Sequence, residues 1–280
     1  MTTGKMGGGS GEKLVLKPAD AWKQYDGKEL VATKVEGADT ESKLMLYDYL
    51  ARGYTYQAVF SGSQTEVGTG KSEIVSFVLY DPSGKKVQDI SRVFLPGNLT
   101  VVENTLVTIC PYSLQKVYDG KPLAYGANDY YVRGLPQGWR VEYSLEGVEL
   151  TDAGVIGYKN FSKKTLKVYG ADGSLLTEGE DYFAVFDTDS ALVVTKRKIT
   201  LSSASASKEY DGLPLVKDSV WISSGALADG QVLTANAVGK IVDIGKVENK
   251  IKNIVISDEN GANVGRNYVV TLSNGWLIVV

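Results

Sequence analysis

Apolar and polar residues alternate along most of the chain in short runs, and turn residues interrupt them roughly every 8–12 positions. Phe77-Val78-Leu79-Tyr80, Leu166-Lys167-Val168-Tyr169 and Ile254-Val255-Ile256-Ser257 each lead into a turn closed by glycine, at Gly84, Gly173 and Gly261. Val, Ile, Thr and Tyr are plentiful in these runs, which predicts strands and hairpins. A helical i, i+3, i+4 stripe is hard to find. The best one, Ser42-Lys43-Leu44-Met45-Leu46-Tyr47-Asp48-Tyr49-Leu50, predicts a short inserted helix.

The pattern repeats. Lys23-Gln24-Tyr25-Asp26-Gly27-Lys28-Glu29-Leu30 returns as Lys116-Val117-Tyr118-Asp119-Gly120-Lys121-Pro122-Leu123 and as Lys208-Glu209-Tyr210-Asp211-Gly212-Leu213-Pro214-Leu215. The tyrosines lie 93 and then 92 positions apart. Thr65-Glu66-Val67-Gly68, Thr151-Asp152-Ala153-Gly154 and Val242-Asp243-Ile244-Gly245 keep step. So do the closing runs Leu99-Thr100-Val101-Val102, Leu192-Val193-Val194-Thr195 and Leu277-Ile278-Val279-Val280. A period of about 90 residues is too long for a solenoid unit and suits a small self-sufficient domain. The expected organisation is a flexible Gly/Ser lead over 1–11 and three units over 12–103, 104–198 and 199–280. The fold class expected is all-β: three tandem Ig-like antiparallel β-sandwiches, elongated, and on the order of 100 Å if laid end to end.

Tyr-Asp-Gly reads as structural. The aspartates Asp26, Asp119 and Asp211 cap a turn, and Gly27, Gly120 and Gly212 take φ > 0. The rings of Tyr25, Tyr118 and Tyr210 are expected to be buried against their own sandwich, and the leucine five positions on to enter the next strand. A lone carboxylate with no second group nearby is a poor catalyst.

This combination resembles the bacterial Ig-like repeats of the MBG or YDG type. It comprises Lys-x-Tyr-Asp-Gly-x-x-Leu, a Thr-Asp-x-Gly step, an Asx-Gly hairpin and the closing strand Asn274-Gly275-Trp276-Leu277-Ile278-Val279. Gly265-Arg266-Asn267-Tyr268 is similar to the family's Asn-Tyr strand, as is Gly179-Glu180-Asp181-Tyr182. The first unit departs there, with Asp89-Ile90-Ser91-Arg92. The resemblance implies a stalk or spacer of a large secreted or wall-attached bacterial protein, on the cell exterior, presenting a binding region away from the cell. It carries over no catalytic residues. The chain's ending on its last strand fits a piece of something longer.

Composition narrows the chemistry. With 30 basic and 33 acidic residues the net charge is −3, unlike a nucleic-acid binder. Histidine is absent, which removes Ser-His-Asp and Cys-His catalysis and histidine metal sites. No enzymatic activity and no cofactor are expected; a carboxylate-pair hydrolase, which needs an acid-lined cleft, is the one enzymatic route left. No run approaches the ~20 apolar residues of a membrane span. Cys110, in Leu106-Val107-Thr108-Ile109-Cys110, reads as a small buried hydrophobe. A monomer is expected.

Three further constellations stand beside their ordinary readings. Asp258-Glu259-Asn260-Gly261 and Asp187-Thr188-Asp189 offer acidic oxygens to calcium, but too few, and Asx-Gly is ordinary hairpin chemistry. Lys208 with Asn274, or Lys23 with Asn98, is the pairing an intramolecular isopeptide bond would need; a solvated lysine and a hairpin asparagine explain them as well. The aromatic segment Tyr130, Tyr131, Arg133 and Trp139 is the candidate ligand-binding site, for a glycan or a host protein. The competing reading places Tyr131 and Trp139 in the core.

Overall fold

The computed structural model describes residues 13–88 and 90–280, so the expected lead over 1–11 lies outside the described residues. Among these are twenty-nine strands, one α-helix and two single-turn 3-10 segments: the protein is mostly β. No helix among the described residues is long and apolar enough to cross a membrane.

One strand-pairing scheme occurs three times. The strand Lys13–Pro18 pairs antiparallel with Val35–Gly37 and parallel with Ser91–Phe94. Thr105–Pro111 does the same with Tyr130–Arg133 and Tyr182–Phe186, and Arg197–Ser203 with Val220–Ser224 and Tyr268–Ser273. The following strand joins the closing one: Ala21–Gln24 runs parallel to Gly97–Val102, and Ala206–Lys208 parallel to Gly275–Val279. The expectation of purely antiparallel sheets is therefore corrected. Hairpin neighbours are antiparallel, but the opening and closing strands of a repeat are separated by most of its length. A long connection permits parallel pairing.

Two backbone features fix the scheme. The tyrosine N–H of each Tyr-Asp-Gly donates to the end of the closing strand: Tyr25 to Val102 O (2.8 Å), Tyr118 to Thr195 O (2.9 Å), Tyr210 to Val280 O (2.9 Å). Gly97 and Gly275 open the closing strand where it crosses the first. A Cβ on Gly97 would lie 2.5 Å from Pro18 O, and one on Gly275 would lie 2.4 Å from Ala204 O. Only glycine fits there without displacing backbone.

In the first repeat the strand entered through Ile90-Ser91-Arg92 keeps its register despite the missing tyrosine. Lys13 faces Ser91 as Leu106 faces Phe183 and Lys198 faces Val269. Ile90 thus occupies the place of Tyr182 and Tyr268, and all three are buried. An aliphatic side chain fills in the first repeat the buried place that a tyrosine fills in the other two.

The chain divides into two compact units. The first takes in the described residues up to Lys116, with Pro122–Leu150 and Gly154–Val193; the second comprises Val117–Lys121, Thr151–Ala153 and Val194–Val280. The first unit has two buried apolar clusters. Leu14, Leu16, Leu46, Phe77 and Leu79 are in one; Val107, Ile109, Leu145, Phe161 and Phe186 are in the other. Trp22 packs against the latter and meets Tyr158 edge-on at 5.8 Å. The inserted helix, Thr40–Ala51, is capped by Asp39, whose Oδ1 accepts from the Ser42 N–H (2.7 Å). Buried Leu44 and Leu46 anchor it, and Ser42 Oγ accepts from the Val15 N–H (2.9 Å).

In the second unit, buried Ile199, Leu201, Ile256, Leu277 and Val279 form the interior. Tyr118 is seated in the same body: its hydroxyl accepts from Gln231 Nε2 (2.8 Å), and its ring meets Tyr268 edge-on at 5.7 Å. Asp152 accepts from Asn267 Nδ2 (2.7 Å) and pairs with Arg266.

Candidate functional site

The Tyr-Asp-Gly turns that the sequence singles out are built alike in all three copies. Asp26, Asp119 and Asp211 each accept, through Oδ1, the N–H two residues on, at 2.9 Å in all three copies. Gly27, Gly120 and Gly212 have φ of +70°, +78° and +73°. Lys23 and Lys208 ion-pair with Asp26 and Asp211, and these hydrogen bonds hold both carboxyls below the ordinary carboxylate value. Leu30, Leu123 and Leu215 then open short strands. The turns are as expected; burial of the tyrosine is met at Tyr118 alone, and there against Tyr268 of the following repeat. Tyr25 and Tyr210 are 47% and 55% exposed, whereas Tyr118 is 2% exposed, because only Tyr118 has Tyr268 and Gln231 packed over it.

The acidic turns and the isopeptide pairs are occupied by ordinary bonds. Asp258 Oδ1 accepts from the N–H groups of Asn260 and Ala262 (both 2.9 Å), Asp187 pairs with Arg133, and Asp189 pairs with Lys34. Lys208 pairs with Asp211, while Asn274 Nδ2 donates to Glu248 Oε1 (2.9 Å). Lys23 pairs with Asp26, while Asn98 Oδ1 accepts from Lys71 Nζ (2.7 Å). Cys110 is 1% exposed, and burial pushes its thiol up despite nearby Arg133.

The aromatic segment divides by strand alternation. Along Tyr130–Arg133, Tyr130 and Val132 turn to the core, where Tyr130 meets Tyr143 edge-on at 5.3 Å. Tyr131 and Arg133 face outward. Trp139 packs on the same core cluster. The core reading thus holds for Trp139 and fails for Tyr131, which is 46% exposed. Tyr131 stacks with Tyr112, centroids 6.0 Å apart and planes 29° apart. Arg133 pairs with Asp187 at 3.0 Å.

Beside this face lies a cleft of about 220 Å³ within the first unit. Thr108, Val185 and Arg133 lie on one side; Ala19, Asp20, Trp22 and Lys34 on the other. One of its lining residues, Asp20, belongs to a charge network that sequence reading missed. Lys17 Nζ donates to Asp20 Oδ1 (2.8 Å) and lies 2.7 Å from Glu36 Oε1. Lys159 Nζ reaches Asp20 Oδ2 (2.9 Å), and the Tyr158 hydroxyl donates to Glu36 Oε1 (3.0 Å). Asp20, 6% exposed, also accepts the Asn98 N–H (3.0 Å). Burial would raise its carboxyl, but the bonds from Lys17, Lys159 and Asn98 bring it down to about 2. Burial and the neighbouring carboxylates Glu36 and Asp20 push Tyr158 far above the usual phenol value. Lysine and glutamate on facing strand positions, where the other repeats carry Cys110 with Tyr131 and Ser202 with Trp221, were the signal available.

Lys17 and Lys159 each pair with both Asp20 and Glu36, so the network joins Lys13–Pro18 and Val35–Gly37 to the Tyr158–Asn160 turn. No known family model and no curated protein matches the chain.

Proposed function

We propose that the chain is a non-enzymatic, load-bearing spacer: three tandem Ig-like β-sandwich modules of the MBG or YDG type, in the stalk of a bacterial cell-surface or adhesin-like protein. The observation carrying this reading is the direction of the terminal strands. The opening strand runs parallel to a strand near the end of its own repeat: Lys13–Pro18 with Ser91–Phe94, Thr105–Pro111 with Tyr182–Phe186, Arg197–Ser203 with Tyr268–Ser273. In a parallel pair, the N-terminal end of one strand and the C-terminal end of the other lie at opposite ends of the ladder. Tension along the chain therefore slides the strands past each other and loads many hydrogen bonds at once. An antiparallel pair held at one end would unzip bond by bond.

Three further features support the reading. Single-residue Lys196 separates the strands Ala191–Thr195 and Arg197–Ser203, so the period continues with almost no slack. The acidic turns are satisfied internally, and the repeat signature serves backbone geometry. Single-molecule force spectroscopy on the whole chain tests the proposal. Discrete unfolding peaks are expected, each releasing the ~90 residues of one repeat, or about 300 Å of contour at ~3.3–3.6 Å per residue. Smooth extension without peaks, or one event releasing the entire chain, would refute it.

A further inference from the structure

We propose that the outward face of the strand Tyr130–Arg133, with Tyr112 and Asp187, binds a neutral hexopyranose unit of a polysaccharide. The face has the two elements such a ring needs. Tyr112 and Tyr131, 47% and 46% exposed, stack into one apolar surface against which the C–H face of a pyranose packs. Their outward position is not a demand of the core, which takes Tyr130 and Val132 from the same strand.

Two residues beyond Tyr131, about 6.6 Å along the strand, Arg133 lies on the same face. Its guanidinium is held by Asp187 at 3.0 Å, with side chains 55% and 17% exposed. The pair presents fixed N–H donors beside a carboxylate acceptor, which matches hydroxyl groups that both donate and accept. Because the pair is neutral overall, it supplies no field to hold an acidic sugar. The adjoining cleft, about 220 Å³ and lined by Trp22, Thr108 and Lys34, is smaller than the ~300–1,000 Å³ of a pocket that encloses a drug-sized ligand. It takes a projecting substituent or neighbouring ring while the polymer runs over the surface.

An exposed aromatic recurs at this register. Tyr131 faces Cys110, and in the third repeat Trp221 faces Ser202 at the equivalent place, 48% exposed. In the first repeat the position is Glu36, facing Lys17, and there Tyr158 and Lys159 cover it. Where the face is covered the residue is an acid bound by lysine; where it is open the residue is an aromatic.

Affinity electrophoresis of the full chain tests the proposal. Gels are cast with dextran, soluble starch, galactomannan or hydroxyethyl cellulose, and with polygalacturonate as the acidic arm. All variants carry Trp221→Ala, so that only the Tyr131 face is read. Retardation by at least one neutral polysaccharide is expected. Tyr131→Ala and Arg133→Ala should each weaken it tenfold or more, at an unchanged melting temperature. Tyr25→Ala, an exposed tyrosine elsewhere, should leave it intact. The proposal is overturned by no retardation in any neutral gel, or by equal retardation of the Tyr131→Ala variant. Retardation by polygalacturonate alone, abolished by salt, overturns it in favour of simple charge attraction.

Discussion

Replacing Asp20 with asparagine keeps the side-chain shape and removes the charge that two lysines converge on. The carboxylate is 6% exposed and accepts from Lys17 Nζ, Lys159 Nζ and the Asn98 N–H at 2.8, 2.9 and 3.0 Å. Its carboxyl is held at about 2, against an ordinary 3.8. At ~1.36 kcal/mol per pKa unit, that gap corresponds to about 2 kcal/mol of folding stability. The folded value is the lower one, so this stability is fully present above the unfolded carboxyl's pKa. It is lost as pH falls from about 4 towards 2. Asp20→Asn forfeits it at every pH and leaves Lys17 and Lys159 sharing Glu36. The expected loss near neutrality is about 2–3 kcal/mol.

The assay must report on the unit that contains Asp20. Trp22 and Trp139 belong to the first unit, Trp221 and Trp276 to the second. In a Trp221→Phe, Trp276→Phe background, urea unfolding followed by tryptophan fluorescence reads the first unit alone. The stability gap between the protein with Asp20 intact and its Asp20→Asn variant should be about 2–3 kcal/mol at pH 6 and under about 1 kcal/mol at pH 2. A gap that does not change with pH would mean that the carboxylate's charge contributes nothing. The ion-pair account of the network would then be wrong.

Other expectations separate positions that look alike in sequence. Tyr118→Ala should cost about 3–4 kcal/mol in the second unit's unfolding, and Tyr25→Ala and Tyr210→Ala under about 1 kcal/mol each, by chemical denaturation. Gly97→Ala and Gly275→Ala should each cost about 2–4 kcal/mol, since the new methyl meets the backbone oxygens of Pro18 and Ala204. Gly84→Ala has nothing within 4 Å and φ of +82°, so about 1 kcal/mol of backbone strain is its whole effect in the same assay. Cys110 should resist an aromatic disulfide reagent in the native protein and react fully in urea, because it is 1% exposed and its thiol is pushed up by burial.

What could be read from sequence was local. An Asx-Gly turn needs only its own residues, so Asp26-Gly27, Asp119-Gly120 and Asp211-Gly212 fold as expected in all three settings. The inserted helix carries its own cap in Asp39, and Cys110 lies in an apolar run that announces its burial. The fate of each tyrosine is not local. Tyr25, Tyr118 and Tyr210 share one motif, yet what covers Tyr118 lies 113 and 150 positions on, at Gln231 and Tyr268. Parallel pairing has no signature in strands of this length, because alternation looks the same whichever way the neighbour runs. The charge network was hidden for the same reason: Glu36 and Tyr158 stand 122 positions apart.

One pair of facing residues shows how a repeated frame acquires different surfaces. Lys17 with Glu36, Cys110 with Tyr131, and Ser202 with Trp221 occupy the same rung between the opening strand and its antiparallel neighbour. The buried rung beside it is apolar on the opening strand every time, with Leu16, Ile109 and Leu201 all at most 1% exposed. Alternation alone produces this split, because successive side chains of a strand point to opposite faces. Changing the inward residue disturbs packing, whereas the outward residue of the neighbouring strand differs among Glu36, Tyr131 and Trp221 while the pairing stays the same. The outward rung is therefore where each repeat can differ: an ion-paired seam under Tyr158 and Lys159 in the first, and an open aromatic in the others. If that freedom is real, Trp221→Glu should fold with a stability change under about 0.5 kcal/mol, measured by thermal denaturation. A larger loss would mean that the outer face supports the fold after all, and that its aromatics need no ligand to explain them.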